Sequence, residues 1–239
     1  MYVRLGDLEV PRILLGTSPF IGAGQFGARA WLYYARFVGK PEKVAEIIKY
    51  SVELGVRGVQ VLAYDYIVEA VRRVVAETGE DLFVAGTVMP ENPEESLELL
   101  SGIGCKIGLV HGALVSRRNI AEVKRQVKMI EGYGMKPGVA LHSIPALKPV
   151  LEECPEVEVV MAPVNVKGIF MGDREESLRI LEESDRFVIA KKVLGAGRIE
   201  PRTALKYVYS LPFVKSVAVG VASKEEARET FTIAFDILE

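Results

Sequence analysis

The sequence is poor in the residues from which cross-links and metal centres are built. Of 239 residues only two are cysteine, Cys105 and Cys154, too few and too far apart for a disulfide framework or a thiolate metal site. They read as buried thiols. Histidine is equally scarce, with only His111 and His142, and neither a His-x-His nor a His-x-x-x-His spacing exists, so no metal is expected. Side-chain amides number six (Asn92, Asn119, Asn165, Gln25, Gln60, Gln126) against 30 Lys and Arg and 32 Asp and Glu, a balance expected of a thermophile protein. A surplus of one charge is missing too. The formal net charge of -2 implies no basic face, which argues against nucleic acid and membrane surfaces as partners. No apolar run is long enough to cross a bilayer. The opening MYVRLGDLEV alternates apolar and charged residues where a signal peptide would be continuously apolar. The expected setting is the cytoplasm, and the expected partner is a small-molecule ligand.

What the chain does have is repetition. Eight short runs rich in Val and Ile recur along it: RILLGTS, GVQVLAY, LFVAGTV, KIGLVHG, KPGVALHS, VEVVMAPVN, FVIAKKV and VKSVAVGV. Each is followed by a segment of helical periodicity, such as PEKVAEIIKYSVELG or KEEARETFTIAFDILE. Strict alternation of strand and helix, with strands apolar on both faces, means a parallel sheet covered by helices. Eight units with none to spare predict a (βα)8 TIM barrel over residues 1–239 as one domain. Pro41, Pro93, Pro145 and Pro201 fall where first helical turns are expected. Ser223 with Glu226 makes a capping box. Before the first run, VRL and LEV flank Gly6 and Asp7, a two-residue β-hairpin signal, and that hairpin is expected to plug the bottom of the barrel.

One motif competes with this architecture. GAGQFG, residues 22–27, matches the dinucleotide fingerprint G-x-G-x-x-G. It lies in a long connection after the first strand, not in a tight strand-to-helix turn, and reads as a chance match. The connection itself, Ser18 to Lys40, is expected at the barrel face that carries active sites. Its aromatic residues Phe20, Phe26, Trp31, Tyr33, Tyr34 and Phe37 form either a lid over a ligand or a short helix, ARAWLYYARF, packed on the rim.

Barrel chemistry comes from the C-terminal ends of strands. Those ends carry Thr17 and Ser18, Tyr64, Asp65 and Tyr66, Thr87, His111, His142 and Ser143, Asn165, Lys191 and Lys192, and Gly220 to Ser223. Both histidines of the chain fall here, on neighbouring strands, as candidates for proton transfer or ligand contact. Lys191 and Lys192 end the seventh run, and alternation turns one of them toward the barrel axis. A lysine in an apolar mouth loses basicity, which suits Schiff-base chemistry of the lyase or aldolase kind, or anion binding. LGAGRI, with Gly195 and Gly197, and GVAS, from Gly220 to Ser223, follow the last two strands, where barrels commonly hold phosphate; a glycine turn plus a helix cap explains the same letters.

The stretch FVIAKKVLGAGRI followed by PRTALKYVYSLPFVKSVAVGVASKEEARETF resembles the C-terminal pattern of the aldo-keto reductase superfamily. GVRGVQVLAYDYIVEAV, KIGLVHG and PGVALHS resemble its second, fourth and fifth strands. The resemblance runs over nearly the whole chain and implies an enzyme that binds NADP(H) or NAD(H) across the barrel mouth and reduces a carbonyl. It places the family histidine on His111, the aspartate on Gln60 and the lysine on Thr87. The tyrosine falls on Asp65, with Tyr64 and Tyr66 on either side as candidate phenols. The ring that stacks on nicotinamide falls on Lys191, an arginine used for the adenosine phosphate on Glu226, and an asparagine on Thr230. It therefore implies a divergent member with an incomplete tetrad. The site residues expected are His111, Tyr64, Asp65 and Lys191 for catalysis, and His142, Ser143, Gly195, Gly197, Gly220 and Ser223 for cofactor binding. The rivals are a non-redox barrel enzyme using a Lys191 or Lys192 Schiff base and a non-catalytic small-molecule-binding barrel.

Overall fold

A computed structural model describes residues 1–239. Two short strands, β1 (Tyr2–Leu5) and β2 (Leu8–Pro11), pair antiparallel around Gly6 and Asp7 with Leu5 opposite Leu8. Eight parallel strands follow: β3 (Ile13–Gly16), β4 (Gly58–Leu62), β5 (Phe83–Val88), β6 (Ile107–Val110), β7 (Lys136–Ala140), β8 (Val159–Pro163), β9 (Phe187–Lys191) and β10 (Val214–Gly220). They close in the order β10-β3-β4-β5-β6-β7-β8-β9. The fold is a (βα)8 TIM barrel with an N-terminal β-hairpin, as the alternation predicts, and each of the eight Val/Ile-rich runs contains one barrel strand.

The helices are α1 (Arg29–Phe37), α2 (Pro41–Glu53), α3 (Asp65–Thr78), α4 (Pro93–Ser101), α5 (Gly112–Ser116), α6 (Ile120–Gly132), α7 (Leu147–Glu153), α8 (Arg174–Glu183), α9 (Pro201–Tyr209) and α10 (Lys224–Leu238). Apart from the rim helix α1 and the short α5, the helices turn an apolar stripe onto the outside of the barrel. In α3 the buried residues are Ile67, Val68, Ala70, Val71 and Val74, the i, i+3, i+4, i+7 spacing of a single helix face. Pro41, Pro93 and Pro201 open α2, α4 and α9, while Pro145 sits in a short 3-10 turn just before α7. No helix is long and apolar enough to cross a membrane.

Side chains alternate along each strand, and the inward set builds two layers of different character. The lower layer is apolar: Leu14, Ala85, Ile107, Leu109, Val159, Phe187 and Ile189 pack with Val10 of the hairpin, and Val3, Leu5 and Leu8 close it from below. The hairpin thus covers the barrel bottom. Toward the C-terminal ends of the strands, the cavity-facing positions are Gly16, Gln60, Thr87, His111, His142, Lys191 and Gly220. This upper layer is the floor of the site.

Candidate functional site

Above that floor, at the C-terminal ends of the barrel strands, opens a cavity of about 740 Å3. Its floor residues Gln60, Thr87, His111, His142 and Lys191 come from five different strands or strand ends. Parity explains their meeting. Lys191 shares the inward side with Phe187 and Ile189, which decides between the two lysines for the floor position. His142 lies two residues past Ala140 of the same inward set, which resolves its direction as well. Lys192, at φ 56 in the left-handed region, turns aside at the rim and sets its Nζ over the Phe170 ring, 4.5 Å from the centroid.

Gln60 and Thr87, where the resemblance puts an aspartate and a lysine, form a neutral pair. Gln60 Nε2 donates to Thr87 Oγ1 at 3.1 Å and to the Val61 carbonyl at 3.2 Å. Both residues are buried, and this bond satisfies polarity without providing any charge. Nothing here can tune a neighbouring phenol as a lysine–aspartate pair would.

His111 is the N-cap of α5, and its Nδ1 accepts the Ala113 backbone N–H at 3.1 Å. A backbone N–H can only donate, so Nδ1 carries no proton, and the neutral imidazole holds its hydrogen on Nε2. One nitrogen serves structure and the other is left for the cavity. Burial, then the Lys191 charge, lower its pKa, with Glu91 pulling the other way. His142 lies edge-on to it, ring centroids 5.5 Å apart. His142 is exposed at the cavity mouth, and partial desolvation, then the charges of Lys191, Lys192 and His111, lower its pKa. Both rings are neutral at physiological pH.

Lys191 is the one cation of the floor, and its Nζ forms no salt bridge and no hydrogen bond within the chain, while its carbonyl accepts from Val164 N at 3.1 Å. Burial, reinforced by the Lys192 charge, brings its pKa down to about 7. Burial alone lowers Lys192. No carboxylate stands in the floor to hold either ammonium in its charged form.

The walls come from the long first connection and from the loops after β9 and β10. GAGQFG forms no strand-to-helix turn, and two 3-10 turns, Ser18–Ile21 and Gly24–Phe26, bracket its start. A Cβ on Gly22 would lie 2.7 Å from the Ala30 carbonyl and 2.8 Å from Tyr34, so that glycine serves the packing of α1 against its own entry loop. The aromatic residues divide between the two expected roles. Phe26 and Tyr33 line the cavity in edge contact, centroids 5.1 Å apart, while Phe20 and Phe37 are fully buried beneath the rim. Trp31 stacks on Tyr34 in solvent, 71% and 50% exposed, so neither takes part in a lid over the cavity.

Other expected residues stand outside the cavity lining. Tyr64, 36% exposed, packs against Tyr66 with centroids 5.9 Å apart. Tyr66 donates its hydroxyl to the Phe20 carbonyl at 3.0 Å, and burial raises its pKa, as it does that of Tyr64. Asp65 is the exposed first residue of α3, and Ser143 is exposed beyond His142. The one phenol that faces the cavity is Tyr33 on α1, whose pKa is raised by burial and then by Glu226. Gly195 is turned away toward Ile169 and Ile199, while Gly197 and Gly220 do line the cavity. Ser223 is committed to the α10 cap, accepting from Glu226 N at 3.2 Å. The box closes one residue early, because Glu226 Oε2 accepts from Ala222 N at 2.7 Å. Amides that an anion would use at this helix start are thereby partly spoken for.

Arg29 was not legible as a site residue. It opens α1, one turn before Tyr33, and its Nη2 donates to the Ala196 carbonyl at 2.6 Å, tying the first connection to the loop after β9 across the cavity. A Cβ on Gly197 would lie 2.5 Å from the same guanidinium. Asn165, a strand-end candidate, organises a loop. It exchanges hydrogen bonds with Ile169 and reaches the Lys192 carbonyl at 3.4 Å. No cluster of three or more His, Cys, Asp or Glu could hold a metal.

No family model matches the sequence, and no curated protein matches it either. Solved structures do. A Pseudomonas aeruginosa protein described as an aldo-keto reductase is 18% identical, covers 100% of this chain and 96% of its own, and has a TM-score of 0.72. An aldo-keto reductase from a Medee basin deep-sea metagenome is 15% identical, covers 98% and 89%, and has a TM-score of 0.71. The holo form of an aldo-keto reductase from Bacillus halodurans is 13% identical, covers 97% and 90%, and has a TM-score of 0.70. The chain therefore has the aldo-keto reductase fold from end to end.

Proposed function

We propose that this chain is a cytoplasmic oxidoreductase of aldo-keto reductase type, one domain throughout, acting on a small carbonyl compound with a nicotinamide dinucleotide. The observation that carries the reading is His111. Its Nδ1 is locked by Ala113, so its Nε2–H is available as a fixed donor to a carbonyl oxygen in the mouth, where water exclusion strengthens the contact. A neutral imidazole polarises that oxygen without surrendering its proton. Lys191, whose pKa of about 7 leaves half of it as ammonium at neutral pH, is the acid of the floor in place of the absent tyrosine.

The walls fit a dinucleotide selectively. Gly197, Gly220 and the Arg29–Ala196 bridge would hold it, and the dinucleotide would supply the hydride. Glu226, on which the resemblance places an arginine for the adenosine phosphate, and Glu229 both face the cavity. Their carboxylates repel an extra phosphate and accept from ribose hydroxyls. NADH should therefore bind at least about tenfold more tightly than NADPH, a difference of about 1.4 kcal/mol, as measured by calorimetric titration. NADPH as the tighter ligand would reverse the assignment of the two glutamates. Absence of saturable binding by either would remove the redox reading.

A further inference from the structure

The floor holds a combination that hydride transfer does not require. Lys191 lines the cavity with no counter-ion and no hydrogen-bond partner for its Nζ, its charge felt by two imidazoles, one of which, His142, has neither ring nitrogen engaged within the chain. Around it stand Lys192, His111 and His142, and no carboxylate. A half-buried ammonium facing a cavity without an anion is disfavoured relative to one in bulk water, whereas a neutral amine there is nucleophilic.

We propose that Lys191 is an imine-forming nucleophile toward small aldehydes and ketones, with His142 as its proton shuttle and His111 as the donor to the carbonyl oxygen. The Lys191 nitrogen attacks the carbonyl carbon, the C–N bond forms as the C=O π bond opens, and the oxygen, held by the His111 Nε2–H, takes up a proton from solvent in the open cavity. His142 removes the surplus proton from nitrogen and delivers it to the departing hydroxyl. The C–O bond breaks, water leaves, and the nitrogen lone pair closes the C=N bond. The iminium acidifies the adjacent C–H, and the His142 imidazole takes that proton to give an enamine. Return of a proton and hydrolysis regenerate the amine. No oxidant or reductant is consumed.

This activity goes beyond the redox reading and needs no dinucleotide. Reduced dinucleotide would convert such an imine to a permanently alkylated lysine, so the two activities cannot share one cycle and their tests are separate. At pH 7 about half of an amine with a pKa of about 7 is neutral, against roughly one part in 2,500 for an ordinary lysine. Lys191 should therefore outcompete the surface lysines by about a thousandfold in neutral amine.

The test is incubation of the full chain with glycolaldehyde, acetone or pyruvate at pH 7, followed by sodium borohydride and peptide mass spectrometry. The expected result is one adduct per chain on the peptide bearing Lys191, reduced at least tenfold in Lys191→Arg. Deuterium exchange of the acetone methyl protons in heavy water, followed by NMR, should fall in parallel. Circular dichroism and melting of Lys191→Arg separate loss of chemistry from loss of fold, and Lys191→Met, which removes the buried charge, is the second variant should arginine not be accommodated. Absence of an adduct with all three probes overturns the proposal. So does an adduct that survives both substitutions or maps to Lys192. Saturable pyruvate binding without adduct or exchange also overturns it and makes Lys191 an anion anchor.

Discussion

Several barrel strands turn apolar side chains inward near their start and a different kind of residue toward the cavity at their end, and the contrast runs the same way around much of the ring. Below, Leu14, Leu109 and Ile189 pack with the hairpin into a closed apolar layer; two residues on, Gly16, His111 and Lys191 face an open cavity. One strand thus serves stability at its start and chemistry at its end, and a displacement of only two residues separates the roles. The lower layer gains from burial of apolar surface. The upper layer carries a cation without a counter-ion and tolerates that cost in exchange for reactivity.

The sharpest way to break this contrast is on β6. Leu109→Ala should lower stability by about 2–5 kcal/mol in denaturant melts while leaving carbonyl turnover near normal. His111→Ala should lower kcat/KM by about 10^2 to 10^4, and cost only about 1 kcal/mol for the lost α5 cap. An exchange of these two outcomes would mean that the layers are not functionally distinct.

Acidity sharpens it next. Desolvation brings Lys191 down to about 7 in the folded chain against about 10.4 for an unfolded lysine, so below pH 7 both states hold the proton and the folded chain carries the whole cost of the half-buried charge. Above pH 7 the folded state sheds the proton first, and stability rises with pH until the unfolded value is reached. Lys191→Met should therefore be more stable than wild type at pH 7, and the gap should close by roughly 2 to 3 kcal/mol by pH 9. His111 and His142, whose pKa values are lowered as well, complete their titration below this window. A gap independent of pH would place the Lys191 ammonium in contact with an anion or bulk water.

A smaller effect is expected from Gly112→Ala. The new Cβ would lie 2.8 Å from the Ala140 carbonyl and 2.9 Å from the His142 ring, forcing His142 aside at a cost of about 1–3 kcal/mol, with ligand affinity altered in calorimetry. The smallest is Trp31→Phe, within about 0.5 kcal/mol of wild type and with unchanged ligand affinity, since Trp31 lies in solvent on the outer face of α1. A marked loss of ligand affinity there would mean that α1 closes inward on binding.

The architecture was legible because it depends on local, repeated signals. Val and Ile at strand positions, one apolar stripe per helix, proline at helix starts and the Gly6–Asp7 turn are each readable within a few residues. His111 and Lys191 were legible too, since a strand end in a barrel is a place known in advance. Tyr64 was not correctly placed by neighbourhood alone: its ring turns toward Tyr66 outside the cavity, although it follows the same strand that delivers Gln60. Arg29 had no signal, because nothing local distinguishes an arginine on a rim helix that reaches a carbonyl 167 residues away.

By itself, then, the order of residues determined the eightfold alternation, the hairpin below it and the parity that puts residues 187, 189 and 191 on one side of a strand. Only the tertiary structure decided what those side chains meet. That Gln60 spends its amide on Thr87, that Glu226 folds back to Ala222, and that Lys191 has two imidazoles and no carboxylate beside it are facts of closure. A side chain's basicity is set by the charges and the water within a few ångströms of it, and in a closed barrel those neighbours arrive from strands scattered along the whole chain.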